Sequence, residues 1–204
     1  MSISLDIKLV LVEIGTSFVV KRDSGDVDGG YLDYEMNRQV TKPFIREFFI
    51  EATFPYDTVA VAGDIIQFSD GRRYLVMNDS PENFENETIS REVVLYMANV
   101  SGELLRPSTV DFDSNYKLTP AWQTVKSMCY ATLTARLFGT DLQQDEELGQ
   151  IGIQSQELYL PSSIRAQALD RYQPQSGEYY KIEQVVTRYF PEVDVCYLAE
   201  DTRQ

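Results

Sequence analysis

The chain of 204 residues contains no histidine, two cysteines and one tryptophan. Without an imidazole, neither a Ser-His-Asp nor a Cys-His nucleophile can be assembled, and histidine metal ligands are excluded. The glycine patterns of nucleotide-binding loops are also missing from the sequence. We therefore predict a protein that is not an enzyme and binds no cofactor. A pair of carboxylates in a deep pocket is the one catalytic alternative that stays open.

The sequence also has few thiols and no long apolar run. Cys129 and Cys196 are expected to be reduced packing residues, because cytosolic proteins rarely keep disulfides. The apolar stretch at residues 3–15 carries Asp6, Lys8 and Glu13, and it is too short to cross a bilayer. We expect a protein that is neither exported nor embedded in a membrane.

Basic residues are scarce as well. Eighteen Lys and Arg stand against thirty-two Asp and Glu, which gives a formal net charge of −14. A surface with this charge repels polyanions. Sequence-specific reading of nucleic acid is therefore not expected, whereas passage of nucleic acid near the protein is compatible with the charge.

What the sequence does contain is alternation of apolar and polar residues, which is typical of strands. Alternate residues of 3–11 are apolar, and β-branched or aromatic runs follow at 16–22, 46–54, 73–78 and 90–99. The pattern predicts an all-β protein with at most one short helix. That helix is placed at residue 120 to about residue 127, where Thr119 is a plausible N-cap and Pro120 the first helical residue.

One hairpin sequence occurs twice. Residues 64–78 match residues 170–184 at an offset of 106, and residues 93–99 match residues 194–200 at an offset of 101. The residues that define the repeat are Asp64 with Asp170, Gly71 with Gly177, Tyr74 with Tyr180, and Tyr96 with Tyr197. A weaker match places residues 16–23 on residues 134–141. Strands that must keep their pairing while loops change length are the mark of a diverged duplication, although any two hairpins share some of these features.

The repeat predicts two tandem small β-barrels with long inserted loops. The first domain comprises residues 1–106 and includes a long loop at 23–47. A polar segment at 107–120, with prolines near both ends, is interpreted as the linker. The second domain comprises residues 121–204.

The acidic segment at 24–35 has some features of a calcium loop. Asp26, Asp28 and Glu35 fall on positions 3, 5 and 12 of such a loop, with Gly29 at position 6. Position 1 is Ser24, and the preceding residues favour a strand instead of a helix. An acidic excursion between strands, without a metal, is the better interpretation.

Two segments are candidates for contacts with neighbouring subunits or with a channel. The chain has thirteen tyrosines and ten phenylalanines, and tyrosine suits interfaces that are partly apolar and partly wet. The first segment is an arm at 24–47, and the second is a loop at 141–157. An ordinary surface loop is the alternative for the arm, and a solvated loop is the alternative for residues 145–147. The candidate contact residues are Asp26, Asp28, Tyr31, Tyr34, Phe44, Asp145 and Glu146.

The first hairpin and the strand after it resemble the head-closure and neck proteins of tailed bacteriophages, which are small β-barrels. The matching residues are Gly63, Asp64, Ile66, Asp70, Gly71, Tyr74 and Val76, followed by 94–98. The second copy resembles the same pattern through Asp170, Gly177, Tyr180 and Ile182, with Leu169 in place of the leading glycine. Two barrels in tandem depart from the single barrel that is usual in this family.

The resemblance implies a structural virion protein. It implies a homo-oligomeric ring around the DNA channel, with portal or adaptor proteins on one side and tail proteins on the other. The protein is then made in the host cytoplasm and located in the collar between capsid and tail, with no membrane partner. Genome DNA passes nearby without sequence-specific binding. The alternatives are a tail-terminator or other tail-completion protein, which is typically mixed α/β, and a soluble β-barrel binding module.

Overall fold

The computed structural model describes residues 3–36, 48–112, 118–135, 156–175 and 177–203. The chain divides into two compact units. The first comprises residues 1–98 together with 190–193, and the second comprises residues 99–189 together with 194–204. Each unit contains a closed six-stranded antiparallel barrel, and one α-helix occurs among the described residues. The prediction of an all-β protein with two tandem barrels is confirmed.

The prediction of a strand at residues 3–11 is wrong, because helix α1 occupies Ile3–Ile14. Eight of the twelve residues of this segment are apolar, and they satisfy a period of 3.6 as well as a period of 2. In the helix, Ser4 and Leu11 face the first barrel and are buried. The helix ends at Ile14, and the N–H of the following Gly15 donates to the Leu11 carbonyl at 2.8 Å. A Cβ at Gly15 would lie 2.4 Å from that oxygen, so the tight exit from the helix requires glycine.

The first barrel is built from six strands, and a seventh strand pairs with it from outside. In chain order the strands are β1 Thr16–Arg22, β2 Gly25–Met36, β3 Phe49–Pro55, β4 Ile65–Phe68, β5 Arg73–Val76, β6 Ser80–Phe84 and β7 Glu87–Met97. Around the barrel the order is β1-β2-β3-β7-β5-β4, and β6 pairs with β7 alone. Its core consists mainly of aromatic and β-branched side chains, among them Phe18, Val20, Phe54, Ile66, Phe68, Tyr74 and Val93.

The second barrel has six strands and a short 3-10 turn at Ser162–Ile164. The strands are β8 Val100–Phe112, β9 Leu118–Ala135, β10 Gln156–Pro161, β11 Arg171–Pro174, β12 Tyr180–Phe190 and β13 Val193–Glu200. Around the barrel the order is β8-β9-β10-β13-β12-β11. Both cysteines are free and buried in this core, and burial raises the pKa of the Cys196 thiol. They pack as small apolar residues, as the sequence predicts.

The two barrels have the same topology. If β1 is equated with β8, then β2, β3, β4, β5 and β7 correspond to β9, β10, β11, β12 and β13, and every neighbour relation is preserved. The register agrees as well. Phe18 faces Phe68 in the first barrel, and Gly102 faces Pro174 in the second, at the same place in the repeat. Register shifts follow Phe18 and Gly102 in their respective hairpins. Shared strand order, register and irregularity are what a duplicated domain retains.

The structure corrects two details of the repeat. The strand that corresponds to β1 is β8, so the match of residues 16–23 with 134–141 is wrong. The last strands are also shifted against the predicted match. The N–H of Ala98 donates to the carbonyl of Arg73, whereas the N–H of Asp201 donates to that of Tyr179. Arg73 and Tyr179 are equivalent, so the offset here is 103 (98 to 201), and Tyr96 is not the counterpart of Tyr197. A slip of two residues preserves which face each side chain occupies, which is why sequence alone did not detect it.

Three boundary predictions are also corrected. The segment at 107–120 is not a linker, because residues 107–112 and 118–120 belong to the hairpin of β8 and β9. The helix at residues 120 to about 127 is absent, because these residues lie in β9. The long loop at 23–47 is a strand over 25–36, and residues 37–47 lie outside the described part of the chain. Alternate residues from Ala131 to Ala135 are apolar, as in a strand, whereas Thr119 and Pro120 fit the start of a helix.

Candidate functional site: fasteners and exposed surfaces

At one end of the first barrel, the Asp64 carboxylate joins two segments of the chain. Arg22 Nη2 donates to Asp64 Oδ2 at 2.8 Å and to the Val59 carbonyl at 2.8 Å, and the Val61 N–H donates to the same carboxylate at 3.1 Å. The hydrogen bond to Asp64 raises the pKa of Arg22. A single carboxylate thus ties strand β1 to the loop that precedes β4.

Asp170 repeats this arrangement in the second barrel. Its two carboxylate oxygens accept hydrogen bonds from Arg106 Nε and Nη2, each at 2.9 Å, and the Gln167 N–H donates to Oδ2 at 2.8 Å. Arg106 also donates to the Arg165 carbonyl at 2.9 Å. The bidentate pair is stronger than the single bond of the first copy. Asp170 is 1% exposed, whereas the Asp64 side chain is 16% exposed.

The other residues of the repeat are turn and packing residues. Gly71 and Gly177 both have positive φ, near 90°, and their N–H groups donate to Phe68 and Pro174 across tight turns. Gly63 has φ of 85°, and Leu169 keeps this conformation at 75° although it is not glycine. These residues of the repeat therefore form turns at the ends of the strands in each barrel.

The repeated tyrosines differ in their surroundings. Tyr74 is fully buried, and its hydroxyl accepts a hydrogen bond from Arg72 at 3.2 Å. Tyr180 is half-buried, and its hydroxyl donates to Glu178. The pKa of Tyr180 is raised, mainly by burial and to a smaller extent by this hydrogen bond. Tyr96 packs edge-on against Phe49, with 4.5 Å between ring centroids. Tyr197 is half-buried in β13.

The predicted contact residues of the arm lie in strand β2, along the wall of the first barrel. Asp26 is exposed and pairs with Lys21 at 2.5 Å, and Asp28 accepts a hydrogen bond from the Gly30 N–H at 3.0 Å. Tyr31 is exposed. Tyr34 packs against Phe68 and accepts a hydrogen bond from Arg72. Phe44, Asp145 and Glu146 lie outside the described residues, so their predicted roles stay predictions.

Helix α1 carries the largest set of exposed apolar side chains on one element. Six of its side chains are 43–72% exposed, and we call them the helix surface: Ile3, Leu5, Leu9, Val10, Val12 and Ile14. The opposite side of the helix is fixed to the barrel. The Ser4 hydroxyl donates to Glu87 at 2.8 Å, and Lys8 pairs with Asp57 at 2.5 Å. These apolar residues flank the exposed carboxylates of Asp6 and Glu13, and exposed apolar residues gathered on one element commonly mark an interaction site. This surface was not predicted from sequence, because alternating apolar residues in the segment favour a strand.

A shallow groove joins the helix surface to strand β2. Val12, Tyr31 and Val59 line it together with Asp28 and Asp57. The predicted contact residues Asp28 and Tyr31 are therefore brought next to the helix surface. Asp26 and Tyr34 do not line this groove.

The outer face of β2, β3 and β7 is acidic. Glu35 stands directly opposite Glu51 in the sheet, and Thr53 stands opposite Glu92. Like charges in directly opposed positions repel each other. Among the described residues, no group of three or more acidic or cysteine side chains is arranged to hold a metal ion. This face fits an electrostatic barrier against polyanions better than a binding site.

Residues 201–203 contact the second barrel through a group of charged and aromatic side chains, which we call the clamp. Asp201 is inaccessible to solvent and pairs with Arg171 Nε at 2.7 Å and with Arg203 Nε at 2.8 Å. The guanidinium carbon of Arg171 lies 3.9 Å from the ring centroid of Trp122. Burial by itself would raise the pKa of Asp201, but the hydrogen bonds from Arg203 and Arg171 outweigh it and hold that pKa well below its usual range. No sequence pattern pointed to this group, because its members are far apart in the chain.

Neither the described helix nor the comparisons with known proteins assign a function. Helix α1, at twelve residues, is too short to span a membrane, and the described residues contain no longer helix. No protein-family model, curated protein or solved structure matches the chain.

Proposed function

We propose that this protein is a structural virion protein of a tailed bacteriophage, a ring-forming connector that joins the portal to the tail around the DNA channel. The observation that carries the proposal is the helix surface, which leaves six apolar side chains in solvent on one element of an otherwise acidic chain. A protein that works as an isolated monomer gains nothing from this exposure, whereas a subunit of a ring buries such a surface against its neighbour.

The distribution of charge fits the same role. Copies that each carry a net charge of −14 repel one another, so they can associate only through surfaces that contain little charge. The six apolar side chains of the helix surface carry no charge, and Asp6 and Glu13 are the two exposed carboxylates between them. The acidic face of β2, β3 and β7 is suited to a wall along which DNA passes without adhering, because its carboxylates, among them Glu35, Glu51 and Glu92, repel the phosphates.

The fold favours a connector over a tail-terminator protein. The tail-completion alternative was expected to be mixed α/β, and the described residues contain a single α-helix of twelve residues beside two barrels. The ion pairs of Asp64 with Arg22 and of Asp170 with Arg106 join segments within each barrel, so they do not occupy the outer surfaces that partners would contact.

The proposal is tested by phage particles assembled without this protein. A stop codon early in its gene is expected to yield filled capsids and free tails that do not join, and the protein supplied from a plasmid is expected to restore tailed particles. Electron microscopy and plaque counts measure the result. Complete, infectious tailed particles in the absence of the protein would contradict the proposal.

A further inference from the structure

We infer that copies of this chain bind each other head to tail, with the helix surface of one copy covered by a basic end of the second barrel of the next. The basic end is defined as Arg106, Arg165, Leu169 and Arg203. This inference rests on the proposed function in that it supplies the contact between ring subunits. The contact itself can be measured with purified protein.

The basic end exposes its cations and buries their counterions. Arg106 pairs with Asp170, and Arg203 pairs with Asp201. The two arginine side chains are 30% and 28% exposed, whereas the two aspartate side chains are 1% and 0% exposed. Arg165 is exposed and has no ion-pair partner within the described part of the chain. This end therefore presents positive charge to solvent, although the whole chain carries a net charge of −14.

Hydrogen bonds to the backbone hold the four residues of the basic end together. Arg106 Nη2 donates to the Arg165 carbonyl at 2.9 Å, and Arg203 Nη1 donates to the Leu169 carbonyl at 3.0 Å. Leu169 also directly precedes Asp170, the partner of Arg106. An exposed leucine thus lies beside guanidinium groups. Arginine suits such a surface, because its aliphatic stem packs against apolar side chains while its head meets a carboxylate.

Leu169 adopts a backbone conformation that favours glycine. Its φ is 75°, and it is 56% exposed. The equivalent residue of the first barrel is Gly63, whose N–H donates to the Val76 carbonyl at 2.8 Å, as the N–H of Leu169 donates to that of Ile182 at 2.8 Å. A leucine with positive φ is strained, and a side chain that is largely in solvent contributes little to its own barrel. A contact with another molecule accounts for a leucine at this position.

The helix surface has the opposite charge. By helical geometry, Asp6 and Glu13 lie between two apolar strips. The strips are Leu5–Leu9–Val12 and Ile3–Val10–Ile14. A contact between two helix surfaces would bring the carboxylates toward their copies. The basic end instead offers cations to the carboxylates and a leucine to the apolar strips, so the contact as a whole carries little net charge.

Other occupants fit the helix surface less well. An interfacial membrane helix carries several Lys or Arg residues on its polar face, whereas α1 carries Lys8 and two acidic residues. Nucleic acid is disfavoured by the net charge. A second copy offers a surface of complementary charge on a different unit of the same chain. Contact between two different surfaces of identical subunits is the heterologous kind that closes into rings.

Glu13→Lys and Arg165→Glu test the two sides of the contact. Each variant is expected to weaken self-association about tenfold or more, because it replaces an attraction with a contact between like charges. The matched controls are Glu85→Lys and Arg188→Glu, at exposed residues, which change the net charge by the same amounts. Both controls are expected to associate as the unaltered protein does. Sedimentation velocity over a range of concentrations measures association, and circular dichroism checks the fold.

A chain that carries both substitutions tests whether the two surfaces meet. It is expected to regain self-association, because the two reversed charges attract each other between neighbouring copies. A symmetric contact between two helix surfaces gives a different result. Glu13→Lys would then strengthen association, and Arg165→Glu would leave it unchanged.

Leu169→Gly separates the contact from the stability of the barrel. Self-association is expected to weaken, because the apolar side chain is lost. The urea midpoint of the second barrel, followed by Trp122 fluorescence, is expected to stay unchanged, because glycine adopts a positive φ without strain. A large fall in this midpoint would show that the leucine serves its own barrel instead of a neighbour.

Three results would overturn the inference. They are an unaltered protein that stays monomeric at every concentration, an Arg165→Glu variant that associates normally, and a double variant that associates no better than the single variants. These results are independent of where the protein lies in a particle. Failure of the contact and failure of the connector function can therefore be told apart.

Discussion

Replacing Asp170 with asparagine is expected to lower the free energy of unfolding of the second barrel by about 3 kcal/mol. The buried carboxylate accepts two hydrogen bonds from Arg106 and one from the Gln167 N–H. The amide preserves the shape but presents one donor where an acceptor is needed, and it removes the charge that balances Arg106. Trp122 is the only tryptophan and belongs to the second unit, so its fluorescence during urea unfolding reports on this barrel.

Asp64→Asn is the matched control, because Asp64 holds the same place in the first barrel. The expected loss is about 1 kcal/mol, measured by circular dichroism, since Asp64 is partly exposed and accepts a single hydrogen bond from Arg22. If the two substitutions lowered the free energy of unfolding equally, burial and bidentate geometry would not determine the strength of these ion pairs. A negligible effect of Asp170→Asn would contradict its structural role.

Asp201→Asn is expected to destabilise the second barrel by about 3 kcal/mol at pH 7, and this difference should shrink in acid. The hydrogen bonds from Arg203 and Arg171 hold the pKa of Asp201 below its usual range despite burial. A group whose pKa is lower in the folded state stabilises the fold above the unfolded pKa, which is about 3.9 for aspartate. That stabilisation is lost as the pH falls toward the folded pKa, by about 1.4 kcal/mol per pH unit.

The measurement is the difference in urea unfolding between the unaltered protein and Asp201→Asn at pH 7, 4 and 3, followed by Trp122 fluorescence. Glu183→Gln serves as the control, because Glu183 is exposed and forms only a surface pair with Lys181. It is expected to change stability by less than about 0.5 kcal/mol. A difference for Asp201→Asn that is the same at pH 7 and pH 3 would contradict the assigned ionisation.

The repeat in the sequence predicted the architecture because it records constraints that both barrels must satisfy. Asp64 and Asp170 form ion pairs with arginines at equivalent places in the two barrels. Gly71 and Gly177 adopt the same positive φ in tight turns. These requirements act over a few residues, so they survive divergence as a readable pattern. The last strand was matched two positions out of register, since a shift of two keeps the same residues facing the core.

Local signals failed where tertiary packing decides between alternatives. The apolar residues of 3–14 fit both the period of a strand and the period of a helix. Packing against β2, β3 and β7 stabilises the helix. Thr119 and Pro120 form a good helix start, yet pairing of β9 with β8 places them in a strand. The polar, proline-containing composition of 107–120 is typical of a linker, yet residues 107–112 and 118–120 pair with each other as strands.

The candidate interaction surfaces were predicted only in part. Asp28 and Tyr31 were selected from an acidic, aromatic segment, and they line the groove beside the helix surface. Leu9 was not predicted to be exposed, because the alternation over residues 3–11 places it on the apolar face of a strand, and the structure exposes it on helix α1. The clamp around Asp201 could not be found from sequence, since Trp122, Arg171 and Arg203 meet only after the barrel has closed.

The location of this protein in the phage particle tests the central claim most directly. Gold-labelled antibodies raised against the purified chain are applied to intact particles and imaged by electron microscopy, with pre-immune antibodies on the same particles as the control for background. A connector is expected to carry label at the collar between capsid and tail. Label confined to the capsid shell or the tail tip, or no label on particles opened at the neck, would contradict the account.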